Sequence, residues 1–383
     1  VGYIYYENAS NASVTHSEKF YIEATATEFT MFLDAFREGA KATYEKKITK
    51  ITLRNVDKTA GFVTLREVVF EDKTYDPEAE MKISKGGLTV GTSLGRGGAI
   101  TYLAREGYKE YVDSNGNMRV GNTVPSNAKK TFAGDANLIN RYDLGREVQN
   151  SFYWSVNEQH GYSPSSDQLT NGDLNYNPIQ AGSSGNKEPQ IVDYSWDTTN
   201  ATIYIKMYGM DWHLENQVDP TYYEIWLSIT EQGVLVVKNK ITNFTEFTDT
   251  EELEFVKQET PAIYLSYPLN YFYVASSQGE IYDKNVASLE NASASKKTSL
   301  NDGITGVYTY LLPSDQVAYD WVAYVDSDKF GVGIYNPTAD YYIASRGNTS
   351  ITARDKDNYT THSVFHGGSL ISNYLNYVES FYL

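Results

Sequence analysis

The fold class predicted from the sequence is mainly β: one large antiparallel β-sandwich preceded by a smaller β-rich region. Three observations predict it. Apolar and polar residues alternate at period two through most of the chain from Lys46 onward. Short runs rich in β-branched and aromatic residues are separated by turn residues at the intervals typical of all-β chains. Asn115-Gly116 stands between two such runs, and Asn-Gly in that setting is the strongest short-range hairpin signal. The 34 tyrosines among 383 residues agree with this, because aromatic side chains suit half-buried pleated surfaces.

The first stretch, Phe20 to Tyr44, reads two ways. Phe29, Phe32 or Leu33, Phe36, Ala40 and Tyr44 recur at helical spacing, with Thr25 and Glu28 as a capping box, while Tyr21 to Thr25 reads equally well as strand. One short helix is expected there. Ile48, Ile51 and Leu53, then Phe62, Leu65, Val68 and Phe70, predict a hairpin around Asp57 to Gly61. Gly86-Gly87 follows a charged segment containing Pro77, and Gly95, Gly97 and Gly98 come soon after. Residues 80–90 are therefore the best place for a boundary or sharp connection, dividing the chain into 1–85 and 86–383. Beyond it, strands are expected at Lys109–Asp113 and Asn117–Val120, and then at Ala201–Tyr208, Tyr222–Ile229, Gly233–Ile241, Ala318–Val325 and Phe330–Tyr335. Residues 150–195, rich in Gly, Ser, Asn and Pro with embedded aromatics, read as a long loop folded over the sheet. The segment Asn373 to Leu383 alternates as a strand that closes its own sheet.

Charge and composition narrow the partners. With 32 basic and 49 acidic side chains the formal charge is −17, which repels phosphate backbones, and no basic stretch is interleaved with aromatics. Nucleic acid is not an expected partner. No apolar run approaches the roughly 20 residues of a membrane-spanning helix. The absence of cysteine removes disulfides, thiolate nucleophiles and zinc–thiolate sites together. Seven Asn-X-Ser/Thr sequons occur, at Asn8, Asn11, Asn200, Asn243, Asn291, Asn348 and Asn358. The chain starts at Val1 without an initiator Met or a signal peptide. Together these features point to an extracellular or cell-surface location.

Gly98-Ala99-Ile100-Thr101-Tyr102-Leu103, followed by Asn137 to Gln149 with its Asp143-Leu144-Gly145-Arg146, resembles the early strands of the galactose-mutarotase-like supersandwich. There a Gly-Gly-x-Ile strand leads to a polar loop bearing an Asp-x-Gly-Arg element. Tyr176 to Gly182, Gln258 to Tyr264 and Gly331 to Pro337 are similar to secreted bacterial polysaccharide-active proteins of that type. The resemblance covers about residues 90–383 and leaves the first 85 outside. It implies a twisted antiparallel sandwich with a carbohydrate cleft on its concave face.

From the residues themselves, Arg146 is placed to clamp a carboxylate or a pair of sugar hydroxyls, or else to pair with Asp143 or Glu147 and fix the loop. His213, beside Trp212 at a predicted strand end, is the imidazole with the most site-like company, and His160 in the aromatic loop is second. Two chemistries on a sugar polymer follow. In β-elimination at a uronic acid, His213 or Tyr264 is the base, and Arg146 with Asn140 or Gln180 neutralises the substrate carboxylate. In hydrolysis, two of Asp143, Glu224 and Glu259 act as the pair. Strand alternation puts Glu224 on one face with Trp226. Trp154, Tyr162, His160, Trp212 and Trp226 are the expected sugar-stacking and contact residues.

No metal centre is expected, although Asp113, Asn115 and Asn117, and again Asp326 and Asp328, have the alternate spacing of a calcium loop, so calcium is a possible ligand. The expected activity is a polysaccharide lyase, with a glycoside hydrolase on the same cleft or a non-catalytic surface or filament glycoprotein as alternatives. The last of these would associate with copies of itself.

Overall fold

The computed structural model describes residues 2–8, 11–20, 22, 29, 46–53, 67–69, 76–139, 148–151, 178–182, 188–211, 218–243, 257–266, 268–269, 271–276, 281–285, 308–313, 317–326, 328–335, 341–346, 366–367 and 376–382. Among them there is no α-helix, and every strand pairing is antiparallel. The mainly β class is therefore the fold class of the protein. The short helix expected within 20–44 and the second half of the hairpin expected at 62–70 fall largely outside the described residues.

β1 (Gly2–Asn8), β2 (Asn11–Phe20) and β3 (Lys46–Leu53) form a sheet with β1 in the middle. β4 (Glu80–Lys85), β5 (Leu88–Ser93) and β6 (Ile100–Arg105) form a meander. Gly86 and Gly87, both at positive φ, make its two-residue first turn. β7 (Lys109–Val112), β8 (Met118–Gly121) and β9 (Lys130–Thr131) form a third small sheet, with the Asn115-Gly116 hairpin joining β7 to β8.

The remainder builds one large sheet. Its strands are β10 (Val148–Ser151), β11 (Pro178–Ile179), β12 (Ile191–Asp197), β13 (Thr202–Asp211), β14 (Val218–Ile229), β15 (Leu235–Asn243), β16 (Lys257–Ile263), β17 (Tyr271–Ser276) and β18 (Ile281–Asn285). β19 (Tyr308–Pro313) lies apart from it, and β20 (Val317–Val325) and β21 (Gly331–Tyr335) rejoin it. β22 (Tyr341–Arg346) pairs only with β19 among the described residues, while β23 (His366–Gly367) and β24 (Asn376–Tyr382) complete the large sheet. The order through its centre is β21-β24-β15-β14-β13, so the C-terminal strand closes the sheet from within. β12 is a finding against the long-loop expectation for 150–195. Its Ile191 and Val192 are buried, but Gly, Ser, Asn and Pro upstream disguise where the strand begins.

Period two decides what the centre of this sheet buries. Ile203, Ile205 and Met207 of β13, Tyr223, Ile225 and Leu227 of β14, and Leu235, Val237 and Ile241 of β15 share one face and are buried. Met81, Ile83, Val90, Ile100 and Leu103 of the β4–β6 meander belong to the same hydrophobic cluster, which makes the meander the second layer of a sandwich over that face. Each such aliphatic side chain contributes about 1.5–3 kcal/mol by leaving water. The layers touch closely at Gly98, where a Cβ would sit 2.8 Å from Ile205 Cδ1.

Three hairpins use one loop design. In Asp113–Asn117, Thr230–Val234 and Asp326–Phe330 the first and fifth residues pair, and the fourth N–H returns to the first carbonyl. The fourth residue has φ of +92° (Gly116), +71° (Gly233) and +66° (Lys329). A left-handed residue at this position is a common feature of three-residue hairpin connections. In each, a side-chain oxygen of the first residue accepts the N–H of the fifth: Asp113 at 2.8 Å, Thr230 at 3.2 Å and Asp326 at 3.0 Å.

Candidate site on the polar face of the central sheet

The face of β13–β15 opposite the core carries the described chemistry. Antiparallel register sets it out in rungs, successive rungs being about 7 Å apart along the strands. One rung is Asp193, Lys206, Glu224 and Lys240, alternating in sign across β12 to β15. A neighbouring rung is Tyr204, Trp226 and Lys238, and on the other side lie Tyr208 and Tyr222.

Contacts tie the rungs together. The Tyr204 hydroxyl donates to Glu224 Oε1 at 3.0 Å, and Lys240 Nζ lies 3.1 Å from Glu224 Oε2. That second approach is a charge contact without hydrogen-bond geometry, since Oε2 has no hydrogen-bond partner among the described residues. Tyr204 and Trp226 meet at 5.1 Å between ring centroids with a 31° tilt. Tyr222 donates to the Tyr208 hydroxyl at 2.9 Å, and the Lys206 ammonium stands 4.5 Å from the Tyr222 ring centroid. Tyr208 and Tyr222 are fully buried, Tyr204 and Trp226 are half-buried, and Lys238 is exposed. The face is therefore closed at the Tyr208–Tyr222 end and open at the Tyr204–Trp226 end. It combines ring surface, a carboxylate, a phenol and several ammonium groups, a set suited to a polyhydroxylated ligand with an apolar ring face.

Of the residues singled out from the sequence, the structure brings together Glu224 and Trp226, both of which meet Tyr204. Gln180 is committed to the core. Its Oε1 accepts from the Asn150 backbone N–H at 2.9 Å and from Asn150 Nδ2 at 2.8 Å, its Nε2 donates to the Gly97 carbonyl at 2.8 Å, and it is 1% exposed. Buried this deeply, its amide is not exposed to a substrate carboxylate on the surface. Tyr264 follows β16, four strands from β14 in the sheet order, roughly 19 Å along the sheet. Glu259 lies on β16 itself, so the sheet does not make it a neighbour of Glu224. Asn140, Asp143, Arg146, Trp154, His160, Tyr162, Trp212 and His213 lie outside the described residues. Tyr204, Lys206, Lys238 and Lys240 escaped the sequence reading, although the register of three correctly placed strands contains them.

The two calcium-like spacings have another explanation in the turns. Asp113 Oδ1 accepts the N–H groups of Asn115 and Asn117, and its Oδ2 accepts from Arg119 Nε at 3.1 Å. The Asn117 N–H, then the Arg119 and Asn117 side chains and the Asn115 N–H, hold the Asp113 carboxyl down at about 2. Asp326 Oδ1 accepts the N–H groups of Asp328 and Phe330 in the same way, but its Oδ2 is buried without a partner among the described residues, and burial pushes this carboxyl up. Among the described residues no group of three or more His, Cys, Asp or Glu is placed to hold a metal ion, and no helix is long and apolar enough to cross a membrane.

No protein-family model matches the chain, and no curated protein matches it. Solved structures similar to it include HI1317, at 8% identity over 79% of this chain and 90% of that one, with a TM-score of 0.36. Another is the Slr1438 protein from Synechocystis sp. PCC 6803, at 11% identity over 83% and 98% of the two chains, with a TM-score of 0.35. A third is 4-alpha-glucanotransferase from Thermococcus litoralis, at 11% identity over 80% of this chain and 38% of that one, with a TM-score of 0.36.

Proposed function

We propose that the chain engages an extracellular polysaccharide on the polar face of β13–β15 and cleaves it by β-elimination at a uronic acid. The observation that carries this reading is the half-buried Tyr204–Trp226 pair set beside the Glu224–Lys240 ion pair. Aromatic faces stack on the apolar side of a pyranose, while the charged rung supplies hydrogen bonds to its hydroxyls. Elimination requires that a cation draw charge from the substrate carboxylate, that a base remove the neighbouring C5 proton, and that an acid protonate the glycosidic oxygen as its bond to C4 breaks and the C4–C5 double bond forms. Lys206, Lys238 and Lys240 line this face. The proposed base is His213, two residues beyond the Asp211 end of β13, which lies about 23 Å along the strand from Tyr204, so it serves only a sugar further along the same polymer toward that end.

The test is incubation with a panel of acidic and neutral polysaccharides, following both the ultraviolet absorbance of unsaturated uronates and the appearance of reducing ends. Unsaturated product from an acidic polymer, lost in Trp226→Ala with folding intact, is the expected result. Reducing ends without unsaturation would refute elimination in favour of hydrolysis. In that case Glu224 and Asp193, two strands apart on the same face and so separated by about 10 Å of sheet, are the carboxylates to replace first. No product and no retention on any polymer would refute the reading and favour an architectural role.

A further inference from the structure

On the reading that this face takes a saccharide, we infer that Lys238 is the residue that receives the substrate's carboxylate and so selects acidic over neutral polymers. The argument begins with charge. The Asp193–Lys206–Glu224–Lys240 rung alternates in sign, so each lysine in it has a carboxylate opposite on a neighbouring strand, and the Lys240–Glu224 contact at 3.1 Å realises one such pairing. Lys206 is further engaged over the Tyr222 ring.

Lys238 is different. It is exposed, it makes no ion pair or hydrogen bond among the described residues, and the register places it directly opposite Trp226 on the same face. Directly opposed side chains have Cβ atoms about 5 Å apart. A four-carbon stem therefore carries the ammonium over or beside a sugar stacked on the Tyr204–Trp226 pair, where the sugar's ring substituents would lie. A carboxylate there meets a cation that has no ion-pair partner among the described residues, in a chain whose overall charge of −17 would otherwise repel it. A neutral sugar gains the ring contact and the hydrogen bonds to its hydroxyls but not this charge pairing.

The experiment is affinity electrophoresis of the full chain through gels containing polygalacturonate, alginate, the methyl ester of polygalacturonate, or a neutral glucan, at several polymer concentrations and at low and high salt. The wild-type chain should bind the acidic polymers more tightly, with the preference shrinking as salt rises. Lys238→Gln should weaken binding to the acidic polymers about tenfold, or ~1.4 kcal/mol, and leave the methyl ester and the glucan unchanged. Lys238→Glu should weaken acidic binding further.

Equal loss on charged and uncharged polymers, or no loss on either, would overturn the role given to Lys238. If Lys238→Gln has no effect while Trp226→Ala abolishes retention, only this inference fails and the saccharide face stands. If Trp226→Ala changes nothing, or the wild-type chain binds none of the four, both fail together. Lys238 is exposed and makes no ion pair or hydrogen bond among the described residues, so its variants should unfold at the wild-type urea midpoint, which checks that a loss of binding is not a loss of fold.

Discussion

Replacing Glu224 by Gln keeps the shape of the side chain and an acceptor for the Tyr204 hydroxyl, and removes only the charge that faces Lys240. Replacing Lys240 by Met keeps most of the stem and removes the ammonium. Removing one partner of a fully buried pair costs about 3–5 kcal/mol, whereas an exposed pair is worth about 0.2–1 kcal/mol. Here the Glu224 side chain is 9% exposed and that of Lys240 21%, at 3.1 Å but without hydrogen-bond geometry. The pair therefore belongs between the two limits. Glu224→Gln is expected to cost about 2 kcal/mol, Lys240→Met about 1–2 kcal/mol, and the double variant little more than the worse single, leaving a coupling energy of about 1 kcal/mol. The assay is urea unfolding of all four chains, followed by tryptophan fluorescence and far-ultraviolet circular dichroism. The coupling should survive 0.5 M salt, because a largely buried pair is poorly screened. A coupling below about 0.3 kcal/mol, or one that salt removes, would refute the claim that this rung is held together by charge within the sheet.

Two further predictions come from the shared hairpin loop. Lys329 holds the left-handed position that glycine occupies in the two other loops, at a cost of about 1–2 kcal/mol for a residue with a Cβ. Lys329→Gly should therefore stabilise by about 0.5 kcal/mol after the extra freedom of glycine in the unfolded chain is deducted. The reciprocal Gly116→Lys should destabilise, and the opposite pattern of urea midpoints would show that the loops are not equivalent. Asp326 and Asp113 should respond oppositely to pH. Burial raises the Asp326 carboxyl in the folded state, so its contribution is greatest below the unfolded value near 4 and is lost as pH rises through the folded value. The Tm of Asp326→Asn minus that of the wild type should therefore increase from pH 3 to pH 7. Asp113 is depressed to about 2, so its contribution is present above the unfolded value and lost as pH falls toward 2. Asp113→Asn should accordingly show its largest deficit at neutral pH, and parallel pH profiles for the two variants would refute both assignments.

Much of the fold was legible because the central strands are wet on one face. Ile203-Tyr204-Ile205-Lys206-Met207 and Tyr223-Glu224-Ile225-Trp226-Leu227 alternate cleanly, since one set of side chains meets the β4–β6 meander and the other does not. Turn chemistry marked the ends, as Asn115-Gly116 and Gly86-Gly87 show. Pairing between distant strands was not legible. Nothing local in Asn376–Tyr382 indicates that β24 sits between β15 and β21, because a central and an edge strand with the same alternation differ only in which backbone groups they meet. β1 likewise takes β3 as its second neighbour across a gap of 37 residues, a pairing that hydrophobic period alone does not choose.

The candidate face lay closer to the sequence than the residues first singled out from it. The sequence drew attention to Arg146 in its Asp-x-Gly-Arg element, to His213 beside Trp212 at a strand end and to His160 in an aromatic loop, whereas the strands themselves hold a charged rung that follows from register. The loop from Thr230 to Val234 pairs its first and last residues, and counting outward from that pair puts Trp226 opposite Lys238 and Glu224 opposite Lys240. Only the turn had to be placed correctly, and Gly233 at positive φ fixes where it falls. The second hairpin could not be treated in this way. β13 and β14 are joined by residues 212–217, with a register shift between Tyr208 and Met210, so no count across that connection predicts that Lys206 faces Glu224. A tight hairpin thus encodes half of this face locally, and the other half depends on how the sheet assembles. Because the Lys238–Trp226 and Lys240–Glu224 juxtapositions both belong to the locally encoded half, moving the turn by one residue should disrupt both at once. Insertion of one residue between Glu231 and Gly233 is expected to abolish polymer retention and to lower the urea midpoint as well, because a one-residue slip carries Val237 and Ile241 out of the core. Loss of retention with an unchanged midpoint would mean that the core does not depend on this register.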